Sequence, residues 1–340
     1  MSSPTLQTIV EVAHLYVIYG FLIVSVFGHI GNICNIIIFT NLKKFREYPS
    51  SFYIIAESIV NLGILLLGAT VRALDEIFKF QSDLIILIWC KLRQPIIQWC
   101  TDMFLCLVNF AVIDQYLSTN FRPRLRQWST VKLGKYLIAI SAIAFFFYNI
   151  LLGIFYDVRT KFGCAFTNVE MTRYYSYFHL LILQGIIPMS VAFIFSIWAY
   201  RNVRRIHRQQ LSNTRRRMDQ QFTAMTAMIL ARVIVFILSL VLYVAQSFYT
   251  INSQHNAYQG LSAAIVALIT YINVSLIYVN VASSFYAYLV ASMRFRRQAK
   301  YILMKKCLQC CRWIPGKFHR SNMNNQVAPI TNTVPDYMDE

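Results

Sequence analysis

The chain has 340 residues, 57% hydrophobic and 14% charged, with a formal net charge of +18 from 32 Lys+Arg against 14 Asp+Glu. Soluble domains carry roughly 25% charged residues, so this chain has too little charge to coat a water-exposed surface. The numbers exclude a disordered protein, disfavour a soluble enzyme and predict an integral membrane protein with its charges in the loops.

A spanning helix needs about 20 mostly apolar residues. Seven such runs occur, at 15–40, 52–73, 84–117, 133–155, 177–200, 222–251 and 261–291. Their length predicts a seven-helix bundle over 14–291 rather than a barrel, whose strands would alternate over about 10 residues. The 1–13 segment has no Lys or Arg, so a cleavable signal peptide is not expected and 1–13 reads as an extracellular N-terminus. Residues 292–306 mix Phe295, Ile302 and Leu303 with Arg296, Arg297, Lys300 and Lys305, the pattern of a short amphipathic helix on anionic membrane lipids. The polar 307–340 tail is expected to be mostly disordered.

The basic residues fix an orientation. Of the 32, 24 fall in four clusters: Lys43, Lys44 and Arg46; Arg122–Lys135; Arg201–Arg217; and Arg294–Arg320. They follow runs 1, 3, 5 and 7, so all lie on one side, which the positive-inside rule makes cytoplasmic. The N-terminus is therefore expected outside and the C-terminus inside. Clusters split between apolar runs do not form a nucleic-acid-binding face, and no nucleic-acid partner is expected. No Ser-His-Asp set, paired carboxylates or metal-spaced histidines occur at usable positions, so neither catalysis nor a metal or other cofactor is expected. The sequon at Asn273 lies mid-span and reads as chance.

Charged residues inside runs are costly and mark function by default. Glu57, Asp102 and Arg232 are such residues. On the third run, Arg93, Ile97 and Thr101 follow Cys90 at three- and four-residue steps and share a face, with Gln98 and Asp102 beside it.

Several motifs occur together: Gly31-Asn32, Cys90, Asp114-Gln115-Tyr116 at the inner end of run 3, Cys164, Pro188, Ser284-Phe285-Tyr286-Ala287-Tyr288 and Phe295-Arg296. Over about 15–311 this set resembles the rhodopsin-like (class A) G-protein-coupled receptors. The run from Phe45 to Ser50 is similar to divergent invertebrate members near the neuropeptide receptors. The resemblance implies a plasma-membrane receptor that passes an extracellular signal, most readily a peptide, to a heterotrimeric G protein, with arrestin as a further partner. It implies a Cys90–Cys164 disulfide roofing the pocket, the alternative being two free cysteines. It also implies palmitoylation at Cys307, Cys310 and Cys311. Ligand contacts fall on Arg72, Arg93, Ile97, Gln98, Thr101, Asp102, Leu180, Gln184, Tyr243, Gln246, Thr270 and Tyr278. Arg72 and Arg93 either receive an anionic group or snorkel outward, and Asp102 pairs either with one of them or with a polar group of helix 5. A monoamine is disfavoured because Ile97 stands where amine receptors carry Asp. Without a lysine in run 7 the chain is no opsin.

The departures concern the switch. Gln115 replaces the family's Arg, Asn61 its helix-2 Asp, and Ser239-Leu240-Val241-Leu242 its Trp- and Pro-bearing motif. Of the helix-7 motif only Tyr288 remains. The resemblance sets Glu57 and Arg232 face to face near Val108 and Ala111, predicting a buried ion pair that replaces the missing arginine lock; otherwise Arg232 snorkels and Glu57 is protonated. A seven-helix protein that binds without signalling is the second expectation, and a transporter or channel the third.

Overall fold

The computed structural model describes residues 4–41, 48–78, 83–159, 163–166, 168–209, 216–252, 260–293 and 295–305. By contacts the chain divides into Met1–Ala299 and Lys300–Glu340. In the second unit, 300–305 are helical, with the Lys305 ammonium 5.9 Å from the Tyr301 ring. The basic cluster Lys43, Lys44 and Arg46, the tail, and Cys307, Cys310 and Cys311 lie outside the described residues.

Seven helices are long and apolar enough to cross a membrane. They are α1 (Pro4–Asn41), α2 (Pro49–Phe78), α3 (Asp83–Thr119), α4 (Val131–Gly153), α5 (Val169–Arg205), α6 (Arg216–Asn252) and α7 (Leu261–Ala291). α1 begins at Pro4, eleven residues before the apolar run, because the 4–15 segment continues the same helix. Local chemistry places several starts. Pro49 opens α2 with the residue that lacks a donor the first turn does not need. Thr130 caps α4 by accepting from the Leu133 N–H, and Asn168 caps α5 by accepting from the Glu170 N–H. Gly260, at φ 63°, adopts the left-handed conformation just before α7.

Helix α3 sits at the centre, touching α2, α4, α5 and α6, while α1 packs on α2 and α7, and α6 on α5 and α7. Adjacent helices reverse direction. The last turns of α2 meet the first of α3 through Asp75 and Arg93, and Ser50 at the start of α2 meets Asp114 near the end of α3. Between α4 and α5 the chain forms a short hairpin, in which Tyr156–Arg159 (β1) and Gly163–Phe166 (β2) pair antiparallel. Its ladder satisfies backbone groups that a helix would otherwise pair, and its Cys164 joins Cys90 in a disulfide with a Cα–Cα distance of 5.5 Å. The hairpin marks one end of the bundle, and the basic loop Arg122–Lys135 lies at the opposite end.

The outer surface is apolar, and the core is largely apolar too, with polar side chains clustered inside it. On α4, Ile143, Phe147, Ile150 and Leu151 are exposed, whereas Asn32, Asn35, Asn61 and Glu57 are buried inside the bundle.

Small residues set the closest approaches. A Cβ on Gly28 would lie 2.5 Å from Leu65 and 2.8 Å from Ala282, where α1 meets α2 and α7 at once. Gly28→Ala is expected to cost about 1–3 kcal/mol by overpacking, read as a lower thermal midpoint in lipid nanodiscs. Gly20→Ala, whose Cβ meets the Tyr16 ring at an ordinary 3.5 Å, is the control expected to leave the midpoint near wild type.

Candidate functional site

Three buried polar clusters run through the bundle from one end to the other. The middle one is built on Arg232 of α6, 2% exposed, and Glu57 of α2, 3% exposed. Arg232 donates to Glu57 Oε1 from Nη2 at 3.1 Å and from Nε at 3.3 Å. Its Nη1 donates to Asn280 Oδ1 and, at 3.5 Å, to Ser283 Oγ, both on α7. The guanidinium lies 5.5 Å from the Phe104 ring of α3, four residues before the expected Val108. Arg232 thus ties its own helix to three others, α2, α3 and α7, at one point instead of snorkelling. Next to it, Asn280 donates to Ser239 at 2.7 Å, Asn35 to Ser284 at 3.0 Å, and Asn61 to Asn32 Oδ1 at 3.1 Å. Tyr288 is buried beside Phe39 and Phe295.

At the basic end, Asp114 accepts from Ser50 and Ser129, each at 2.6 Å. Gln115 donates to Ser50 Oγ at 2.7 Å, and its Oε1 accepts from Thr226 of α6 at 2.8 Å. A glutamine does here what an arginine cannot, donating to one helix and accepting from another. Tyr116 faces elsewhere, packed edge-on against Phe195 of α5 at 5.3 Å.

At the hairpin end the expected ligand residues separate into two groups. Gln98, Asp102 and Gln184 form one network. Gln184 donates to Asp102 Oδ1 at 2.9 Å and to Gln98 Oε1 at 3.1 Å, and Gln98 donates to the Tyr175 hydroxyl at 2.8 Å. Asn149 of α4 donates to Asp102 Oδ2 at 2.8 Å. Asp102 therefore takes its partners from α4 and α5 and not from Arg72 or Arg93, and Leu180 on α5 is buried. The second group lies toward α2, α6 and α7. Arg93 donates to Asp75 at 3.1 Å and to the Leu67 carbonyl at 2.8 Å, so the last turns of α2 already occupy the group expected to receive an anion. Arg72 sits over the Tyr271 ring at 5.8 Å, and Gln246 donates to Thr270 at 3.4 Å. Tyr278 is buried against Phe21, and Tyr243 is half-buried on the core. Thr101 turns back to its own helix, donating to the Ile97 carbonyl at 2.9 Å. Ile97 is half-buried.

Sequence reasoning missed several members: Asn280, Asn149 and Thr226 within spans, and Ser50 near a helix start. The available signal was a polar side chain inside an apolar run. It also missed a cleft of about 690 Å³ between α1, α2 and α7, lined by Val10, Glu11, His14, Glu76 and Tyr271. His14 and Glu76 meet there at 2.5 Å.

No family model matches the chain, and no curated protein matches it.

Proposed function

We propose that the chain is a plasma-membrane receptor, hairpin end outside, that transmits an extracellular peptide signal to a heterotrimeric G protein through a rewired switch. The latch on α6 carries this reading. Thr226 ties α6 to α3, and Arg232 ties it to α2 and α7, all by buried polar contacts. A helix held this way has two discrete arrangements, latched and released, and a ligand shifts their balance only by binding one more tightly. The two-part network at the hairpin end, roofed by Cys164 on its hairpin, supports a ligand site with polar groups among aromatic walls. The basic loops form the docking surface, the 292–306 segment lies on inner-leaflet lipids, palmitate on Cys307, Cys310 and Cys311 anchors its end, and arrestin competes for the same face.

The second reading, a seven-helix binder without signalling, is favoured by Gln115 itself: 3% exposed and neutral, it spends its amide inside the bundle and offers no cation to a partner. Sensors of G-protein dissociation, with the chain at the cell surface and a peptide library outside, separate the two. A response to any peptide supports coupling. Silence of both wild type and Gln115→Arg, at normal surface expression, moves the conclusion to the second reading.

Thr226→Val removes one hydroxyl from the latch and keeps the side-chain shape. A neutral hydrogen bond is worth about 1 kcal/mol, so basal signalling is expected to rise roughly fivefold. Unchanged basal output in the same sensor assay would place the latch elsewhere.

A further inference from the structure

Asp102 and His179 face one another inside the bundle, 2% and 0% exposed, and the space between them is unfilled by any hydrogen bond. His179 Nε2 is 3.8 Å from Asp102 Oδ1 and has no hydrogen-bond partner. Hydrogen bonds of this type span roughly 2.7–3.2 Å, so the two atoms are poised but not joined. Asn149 and Gln184, both neutral amides, supply the carboxylate's hydrogen bonds. Among the described residues no Lys or Arg comes within 4.0 Å of that carboxylate. An ionised Asp102 would leave an uncompensated negative charge in an apolar interior, an arrangement proteins avoid.

The other titratable groups facing the pair carry no compensating charge. They are Cys106 on α3, Tyr148 on α4, Tyr174 and Tyr175 on α5, Tyr156 on β1 and Tyr243 on α6. The imidazole is held flat between two rings, Tyr175 at 4.8 Å and Tyr148 at 5.5 Å, both within 23° of parallel, so its orientation is fixed. Helix geometry produces the site. Residues 175–186 wind as a π-helix, whose i to i+5 hydrogen bonds widen the turn. That winding turns His179 and Gln184, five residues apart, toward the same carboxylate, where a regular α-helix would separate them.

A path leads outward. His179 Nδ1 meets the Tyr148 hydroxyl at 3.0 Å, and that hydroxyl meets the Tyr174 hydroxyl, near the start of α5, at 3.3 Å. Imidazole can accept a proton at one nitrogen and release it from the other.

We infer that the gap between Asp102 Oδ1 and His179 Nε2 is a proton-binding site, filled from the hairpin end through Tyr174 and Tyr148. A hydronium outside gives up one proton and remains as water. The proton forms an O–H bond on Asp102 Oδ1, and the lone pair of His179 Nε2 accepts the hydrogen bond. One proton neutralises the buried charge and supplies the missing partner, joining α3 to α5. The site does not depend on coupling to any G protein.

Infrared difference spectra of the full chain in lipid nanodiscs, titrated between about pH 4 and pH 9, test this. Acidification is expected to raise a protonated-carboxyl C=O band that Asp102→Asn lacks. His179→Phe keeps a ring in the stack, removes the acceptor, and is expected to move the band to higher frequency. Tyr148→Phe is expected to slow the band's appearance after a pH jump. Wild type without such a band, or Asp102→Asn spectra identical to wild type, would overturn the site. Should Asp102→Asn fail to fold, an unshifted band in His179→Phe overturns it equally.

Discussion

Replacing Glu57 by glutamine is expected to cost the folded bundle about 3–5 kcal/mol, because it strands the Arg232 guanidinium without its counter-charge. The physical basis is burial. At 2% and 3% exposure neither group can turn to water, and each is oriented by more than one contact. Arg232→Gln strands the carboxylate in the same way and is expected to cost a similar amount. The double variant Glu57→Gln/Arg232→Gln leaves no uncompensated charge and should lose much less than the two single losses added together. Thermal midpoints in nanodiscs read all three. In the signalling assay each single variant is expected to raise basal output, since α6 loses its tie to α2. Additive losses in the double variant would mean that the two groups act independently and that their 3.1 Å approach is not a latch.

Removing the disulfide comes next in size. Cys90→Ser or Cys164→Ser opens a covalent loop with a sequence separation of 74 and releases the hairpin from the start of α3. The chain-entropy view gives roughly 2–5 kcal/mol for losing such a bridge. The loss should concentrate at the hairpin end, because an aromatic stack depends on it: Tyr156 on Phe166 at 4.2 Å, Phe166 on Tyr175 at 5.0 Å, and Tyr175 on His179. Surface expression should fall, and faster hydrogen exchange should appear at Tyr156–Arg159, at Gly163–Phe166 and in the first turns of α5 before it appears at Glu57. Uniform exchange across the bundle would show that the bridge merely adds global stability.

Much of the architecture is legible in the sequence. Lipid forces a helix to satisfy its own backbone, so an apolar run of spanning length announces both the element and its length. Charged residues in those runs were equally readable: at Glu57 and Arg232 the cost of burial narrows the choices to a partner or a neutral form. The polar partners were less so. Asn280, Ser50, Thr226 and Asn149 look like ordinary tolerated polar residues, and only their neighbours show that each completes a cluster. The partner of Arg93 was hidden for a related reason. Asp75 is 18 residues away in sequence but one hydrogen bond away in space, because α2 ends where α3 begins.

Composition and hydropathy alone specify seven apolar helices, a basic set of loops and the scarcity of charge that makes each buried ion consequential. These follow from composition and local period, which need no knowledge of neighbours. Packing of the helices settles which of those ions meet, that Gln115 bridges Ser50 and Thr226, and that the π winding of 175–186 turns His179 toward Asp102. Those facts depend on helix rotation and on which faces touch, and the hydrophobic pattern constrains rotation weakly when lipid and core are both apolar.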